Sequence, residues 1–185
     1  MQLKGELEKG GAKMAIENDI ADDRPKVYLE TSFMFYLTGR ETTDQKIASE
    51  QAYTRKWWEE ERSRCRVFTS SFVIQESNGR DPEYVGRRNE KIAETEVLQT
   101  EDELIFTIAA KLLEGKALPK DETTDAYHIA TAAVHGMDYL LSWNCRHLAN
   151  PQTYPKTKKI VESFGLICPS IITPRSYLED FNNAR

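Results

Sequence analysis

The chain has 185 residues, with 30 acidic and 25 basic side chains and a net charge of −5. That length is enough for one domain with a real core, and the mixed charge offers no global basic field, so a nucleic-acid partner needs local patches or metal ions. No apolar run approaches the roughly 18 residues of a membrane span, and the first residues lack an apolar signal region, so a soluble, cytoplasmic protein is expected. Residues 1–25 are rich in Lys, Glu, Asp and Gly without a sustained period and read as a flexible tail. A single domain is expected over 26–185. Lys26 to Leu29 reads as the first strand, followed directly by Glu30, Thr31 and Ser32. A helix is expected from Phe33 to Leu37, closed by Gly39. A second helix is expected over 44–62, with the Trp57–Trp58 pair assigned to packing rather than to base stacking.

Arg66 to Thr69 reads as the second strand. Ser70 or Ser71 then caps a short helix that carries Glu76 and ends at Asn78-Gly79. Asp81-Pro82 is a fresh start signal, and that helix is expected to run to about Thr95. Thr100 to Glu103 has the form of a capping box. It opens a helix with Leu104, Ile105, Ile108, Ala109, Leu112 and Leu113 on one face, stopped at Gly115. Thr123 and Thr124 are read as N-cap residues of the next helix, and Gly136 as the residue just past its end. Tyr139 to Leu141 is a short apolar run, the pattern of a strand covered on both faces. A helix is expected over 156–164, a proline-interrupted edge strand over 167–172, and a last helix from Thr173-Pro174. Strand–helix alternation throughout predicts an α/β, three-layer sandwich with a mainly parallel central sheet flanked by helices.

Four polar side chains converge on one edge of such a sheet. Glu30 follows the first strand, Glu76 the second, Asp125 lies in the first turn of a helix, and Asn144 follows the strand at 139–141. Open parallel sheets hold ligands outside the carboxyl ends of their strands. Carboxylates about 4 Å apart repel by about 4 kcal/mol at an effective dielectric of about 20, which forces a proton onto one of them or calls for a cation. An all-oxygen set suits Mg²⁺ or Mn²⁺, the ions used to hydrolyse phosphodiesters. His128, one turn after Asp125, is taken as a satisfied, partly buried histidine. Arg146 and His147 are possible phosphate contacts, or else turn residues pairing with nearby acids. Three cysteines without a CxxC spacing, and no second pair beside Cys145 and His147, point to reduced thiols rather than zinc.

The segments KVYLETS, SSFVIQES and DAYHIATAAVHGMDYLLSWNCRHL, in this order, resemble the PIN-domain ribonucleases, and most of all the VapC-like toxins of bacterial toxin–antitoxin pairs. The resemblance spans Lys26 to about Leu178, and its specific part is Asp125 to Leu148. It implies a PIN-like fold and an endoribonuclease that uses Mg²⁺ or Mn²⁺. It also implies an RNA substrate, products with 5′-phosphate and 3′-hydroxyl ends, a homodimer, and a cognate antitoxin protein. Matched position by position, the implied metal and catalytic residues are Glu30, Glu76, Asp125 and Asn144, supported by Thr31, Ser32 and Ser142. Two positions depart from the family pattern: Glu30 stands where Asp is usual, and Asn144 where Asp is frequent. The set therefore carries three formal charges instead of four, and a second ion should bind more weakly. The competing readings are a PIN-fold module that no longer cuts and acts through RNA or protein contacts, and a small-molecule phosphatase. The phosphatase lacks the nucleophilic Asp it needs after the first strand. A dinucleotide oxidoreductase lacks its glycine fingerprint.

Overall fold

The computed structural model describes residues 22–78 and 82–183. Five strands form one sheet: β1 (Lys26–Leu29), β2 (Arg66–Ser70), β3 (Glu96–Leu98), β4 (Tyr139–Leu141) and β5 (Ser170–Ile172). Their order is β3-β2-β1-β4-β5, and every pairing is parallel. Eight α-helices accompany them among the described residues: α1 (Thr31–Thr38), α2 (Gln45–Glu60), α3 (Ser71–Ser77), α4 (Pro82–Ile92), α5 (Glu103–Glu114), α6 (Thr123–Val134), α7 (Tyr154–Glu162) and α8 (Pro174–Asn183). None of them is long and apolar enough to cross a membrane.

The strand order fixes where the helices lie. The chain steps from β1 through β2 to β3 in one direction, then crosses back to β4 and β5 in the other. Right-handed crossovers therefore put the two sets of connecting helices on opposite faces. Helix α1 packs on α2, α3 and α4, and α2 on α8, whereas α5 packs on α6 and α7. The direction reverses between β1 and β4, and that junction is the crevice where such sheets take ligands. Between the layers lie Val27, Tyr28, Leu29, Leu140 and Leu141, all fully buried. Trp57 and Trp58 are core residues as expected. Trp57 meets Phe33 and Tyr177 edge-on at 5.4 and 5.7 Å.

Most element positions match the sequence reading, and four details correct it. β3 was not expected: it is three residues long at the sheet margin, and its exposed Glu96 and Val97 give no apolar signal. The helix before it stops at Ile92, and Ala93 to Thr95 turn into that strand. Thr100 does not cap α5; Asp102 does, its carboxylate accepting from Leu104 N at 2.7 Å, while Thr100 bonds Ser71. Thr123 and Thr124 lie inside α6, whose cap position is Glu122. Gly136 does take the left-handed conformation past the end of α6, with φ 63°. The expected tail up to Ala21 and the start signal at Asp81 lie outside the described residues.

Candidate active site

All four expected site residues lie beyond the carboxyl edge of the sheet. Glu30 leaves β1 and is the N-cap of α1, because its backbone is extended and its side chain folds back onto the helix start. Its Oε1 accepts from Ser32 N at 3.0 Å. Its Oε2 accepts from Ser32 Oγ at 2.5 Å and from Ser142 Oγ at 2.8 Å. Ser142 is fully buried just after β4, and its Oγ also accepts from Asn144 N at 2.9 Å. Of the hydroxyls expected to support the site, Ser32 and Ser142 therefore bind Glu30 across the β1–β4 junction, whereas Thr31 binds Glu76.

Glu76 projects from α3, one of the elements that follow β2. One oxygen, Oε2, receives both the Thr31 hydroxyl and His128 Nε2, the latter at 3.0 Å. His128 is 1% exposed, more buried than expected, and it is satisfied on both ring nitrogens. Burial alone would lower its pKa. The hydrogen bond to Glu76 and the Glu30, Glu76 and Asp125 charges together outweigh that and hold the imidazole above its ordinary range.

Asp125 lies in the first turn of α6 and is 8% exposed. Asn144 Nδ2 donates to its Oδ2 at 2.8 Å, and His147 Nδ1 stands 3.4 Å from the same oxygen. Asn144 Oδ1 faces the backbone N–H of His147 at 3.1 Å. An N–H can only donate, so the carbonyl end of the Asn144 amide is fixed there and its NH₂ end turns to Asp125. Asn144 thus orients Asp125. Burial first, and the Glu30 charge second, push the Asp125 carboxyl up to about 6, against the pull of His128 and His147.

Among the described residues two groups of three ligand-type side chains have donor atoms within 4.8 Å of one another: Glu30, Glu76 and His128, and Glu122, Asp125 and His147. Hydrogen bonds join them into one network, from Glu30 through Ser142 and Asn144 to Asp125. Glu122 was not singled out from the sequence. It approaches His147 Nδ1 at 3.0 Å, so His147 is the acid-pairing turn residue, while Arg146 is exposed. Glu122 stands three residues before Asp125, one helical turn away, and that spacing was the available signal. Among the described residues, neither Glu30 nor Asp125 pairs with a lysine or arginine. Buried carboxylates without a cationic side chain fit a hard divalent ion. Several basic side chains are engaged elsewhere: Arg62 with Glu94, Arg64 with Glu61, and Arg88 with the Ser77 carbonyl.

No protein-family model matches the sequence, and no curated protein matches it. Among solved structures the chain is similar to VapC20 of Mycobacterium tuberculosis, a sarcin-ricin loop cleaving toxin. Identity is 16%, the match covers 64% of this chain and 90% of the other, and the TM-score is 0.50. At that identity the shared property is the fold, a VapC-like α/β sandwich with a parallel sheet.

Proposed function

We propose that this chain is a Mg²⁺- or Mn²⁺-dependent endoribonuclease that hydrolyses RNA phosphodiester bonds, and that it is the toxin of a toxin–antitoxin pair. The strongest support is the arrangement at the β1–β4 switch point: Glu30 and Glu76 share one group of ligand-type side chains, and Asp125 lies in a second group linked to Glu30 through Ser142 and Asn144. There the Asp125 carboxyl is pushed up to about 6 next to a second buried carboxylate. The VapC-like fold and the name of its structural neighbour agree with that reading.

Glu30, Asp125 and Glu76 would hold the cation. When bound, it would acidify a water and neutralise charge on the scissile phosphate. Ser32 and Ser142 keep the Glu30 carboxylate fixed by donating to it. Asn144 aims Asp125 through its NH₂ group. Glu76, on the more exposed side of the cluster, would orient the attacking water. Arg146, exposed beside Asn144, would meet a backbone phosphate. A cognate antitoxin would silence the site, and two copies would pair.

The test is expression of the chain without neighbouring genes. Growth arrest with loss of bulk RNA, relieved by Asp125→Ala, is expected. Purified protein that leaves RNA intact with Mg²⁺ and with Mn²⁺ would contradict the nuclease assignment.

A further inference from the structure

A second line of polar atoms runs behind the carboxylates, inside the core. Ser70 Oγ lies 2.6 Å from Tyr28 OH, Tyr28 OH lies 2.8 Å from His128 Nδ1, and His128 Nε2 lies 3.0 Å from Glu76 Oε2. Ser70 and Tyr28 are fully buried and His128 nearly so. The Tyr28 ring, 5.8 Å away, and the Phe72 ring, edge-on at 6.4 Å, wall in the imidazole. A buried polar chain of this length is costly unless every member is satisfied, and here each hydroxyl and ring nitrogen has a partner.

The donors follow from the chemistry of the ends. A carboxylate oxygen accepts, so the hydrogen on this bond belongs to Nε2 of His128. When the ring is neutral, Nδ1 accepts from the Tyr28 hydroxyl and Ser70 donates to Tyr28. When the ring is charged, Nδ1 donates to Tyr28 and Tyr28 donates to Ser70. The two hydroxyls rotate to suit either case, and the Nε2–H stays on Glu76 in both. A nitrogen that carries its hydrogen toward a carboxylate has no lone pair to give a cation. Glu76, meanwhile, sits on a seven-residue helix with its side chain 37% exposed. A glutamate there has rotamer freedom to lose, and Thr31 from α1 and His128 from α6 grip the same oxygen from two other elements.

We propose that His128, backed by Tyr28 and Ser70, is a positioning residue that fixes the direction of the Glu76 carboxylate, and that it is not itself a metal ligand. This rests on the nuclease reading above for its consequence, but not for its first readout. Outer partners of a metal-bound group are worth about 10–100-fold in metal affinity or activity.

The experiment compares wild type with Tyr28→Phe, His128→Ala, His128→Gln and Asp125→Asn. Carbon-13 NMR of the Glu76 side-chain carboxyl and nitrogen-15 NMR of the His128 ring are recorded first, without metal or RNA. One sharp Glu76 signal and a protonated Nε2 are expected in wild type, with the Glu76 signal shifted or broadened in His128→Ala and Tyr28→Phe. Mg²⁺ titration should leave Nε2 protonated. Mg²⁺ affinity and kcat should fall about tenfold or more in His128→Ala, with KM for RNA nearly unchanged and partial recovery in His128→Gln, whose amide N–H can reach Glu76. An unmoved Glu76 signal in His128→Ala, or loss of the Nε2 hydrogen on adding Mg²⁺, overturns the proposal. So does a drop in thermal stability alone with kcat unchanged. If Asp125→Asn abolishes Mg²⁺ binding and cleavage while the other variants keep both, only the positioning role fails. If Asp125→Asn changes neither, the nuclease reading fails.

Discussion

Glu30 and Asp125 are carboxylates of the same candidate site, yet the protein treats them differently. Glu30 is met by three donors, Ser32 N, Ser32 Oγ and Ser142 Oγ, so its charge is matched by hydrogen bonds supplied with the fold. Asp125 is equally buried, receives one amide N–H from Asn144, and is pushed up to about 6 by burial and by Glu30 itself. Glu30 is a settled part of the structure. Asp125 carries an electrostatic cost that a bound cation would relieve. Buried charge is tolerated when hydrogen-bonded and is otherwise kept for use.

The widest break in that comparison concerns catalysis. Glu30→Gln and Asp125→Asn should each lower RNA cleavage by about 10²–10³-fold in single-turnover assays, because each removes a charge facing the reaction. Their effects on stability should have opposite signs. Glu30→Gln turns an NH₂ toward donors it cannot accept from and should cost about 1–3 kcal/mol in urea unfolding. Asp125→Asn removes a charge the fold disfavours and should stabilise the protein near pH 7.5 by up to about 3 kcal/mol.

The pH dependence sharpens the same contrast. An unfolded aspartate titrates near its model value of 3.8, and the folded Asp125 near about 6. Between those values the folded state holds a proton that the unfolded state has released. Stability from this group is therefore full below about pH 4 and is lost as pH rises through about 6. Unfolding free energies measured from pH 4 to pH 8 should decline in wild type, and the decline should be shallower in Asp125→Asn. His128, whose pKa is also raised, adds loss in the same direction and should persist in that variant.

Ser142→Ala is a smaller perturbation on the Glu30 side. It strips one donor from Glu30 Oε2 and the acceptor of Asn144 N, and should cost about 1–2 kcal/mol in urea unfolding. The smallest effect is expected at the exposed Arg146. Arg146→Ala should weaken RNA binding modestly, across sequences, and reduce the salt dependence by about one counterion. Unchanged salt dependence would remove Arg146 from the RNA path.

Much of the frame was legible from the residues. β1 and β4 fall where KVYL and YLL predict them, because buried parallel strands are continuous apolar runs. β3 was not legible, since Glu96 and Val97 face solvent at a sheet margin and only Leu98 reports a core. The capping errors at Thr100 and Thr123 share one cause. Several residues able to cap stand side by side in both places, and at Thr100 the contact with Ser71 leaves the cap to Asp102. Glu30, Glu76 and Asn144 were readable as polar residues following apolar strands, and Asp125 as the acid opening a helix. The partners of these residues were not. Glu122 reaches His147 across 25 positions, and Tyr28 reaches His128 across 100. Local period carries no information about such pairs. His128 was correctly read as satisfied, but its link to Glu76 appears only once α3 and α6 are packed.

Calorimetric titration of Mg²⁺ into the wild-type chain and into Asp125→Asn at pH 7.5 tests the central claim most directly. Saturable binding at millimolar concentrations or below in wild type, lost in the variant, is the predicted result. No binding in wild type, or equal binding in both, would contradict a cation site built on Asp125.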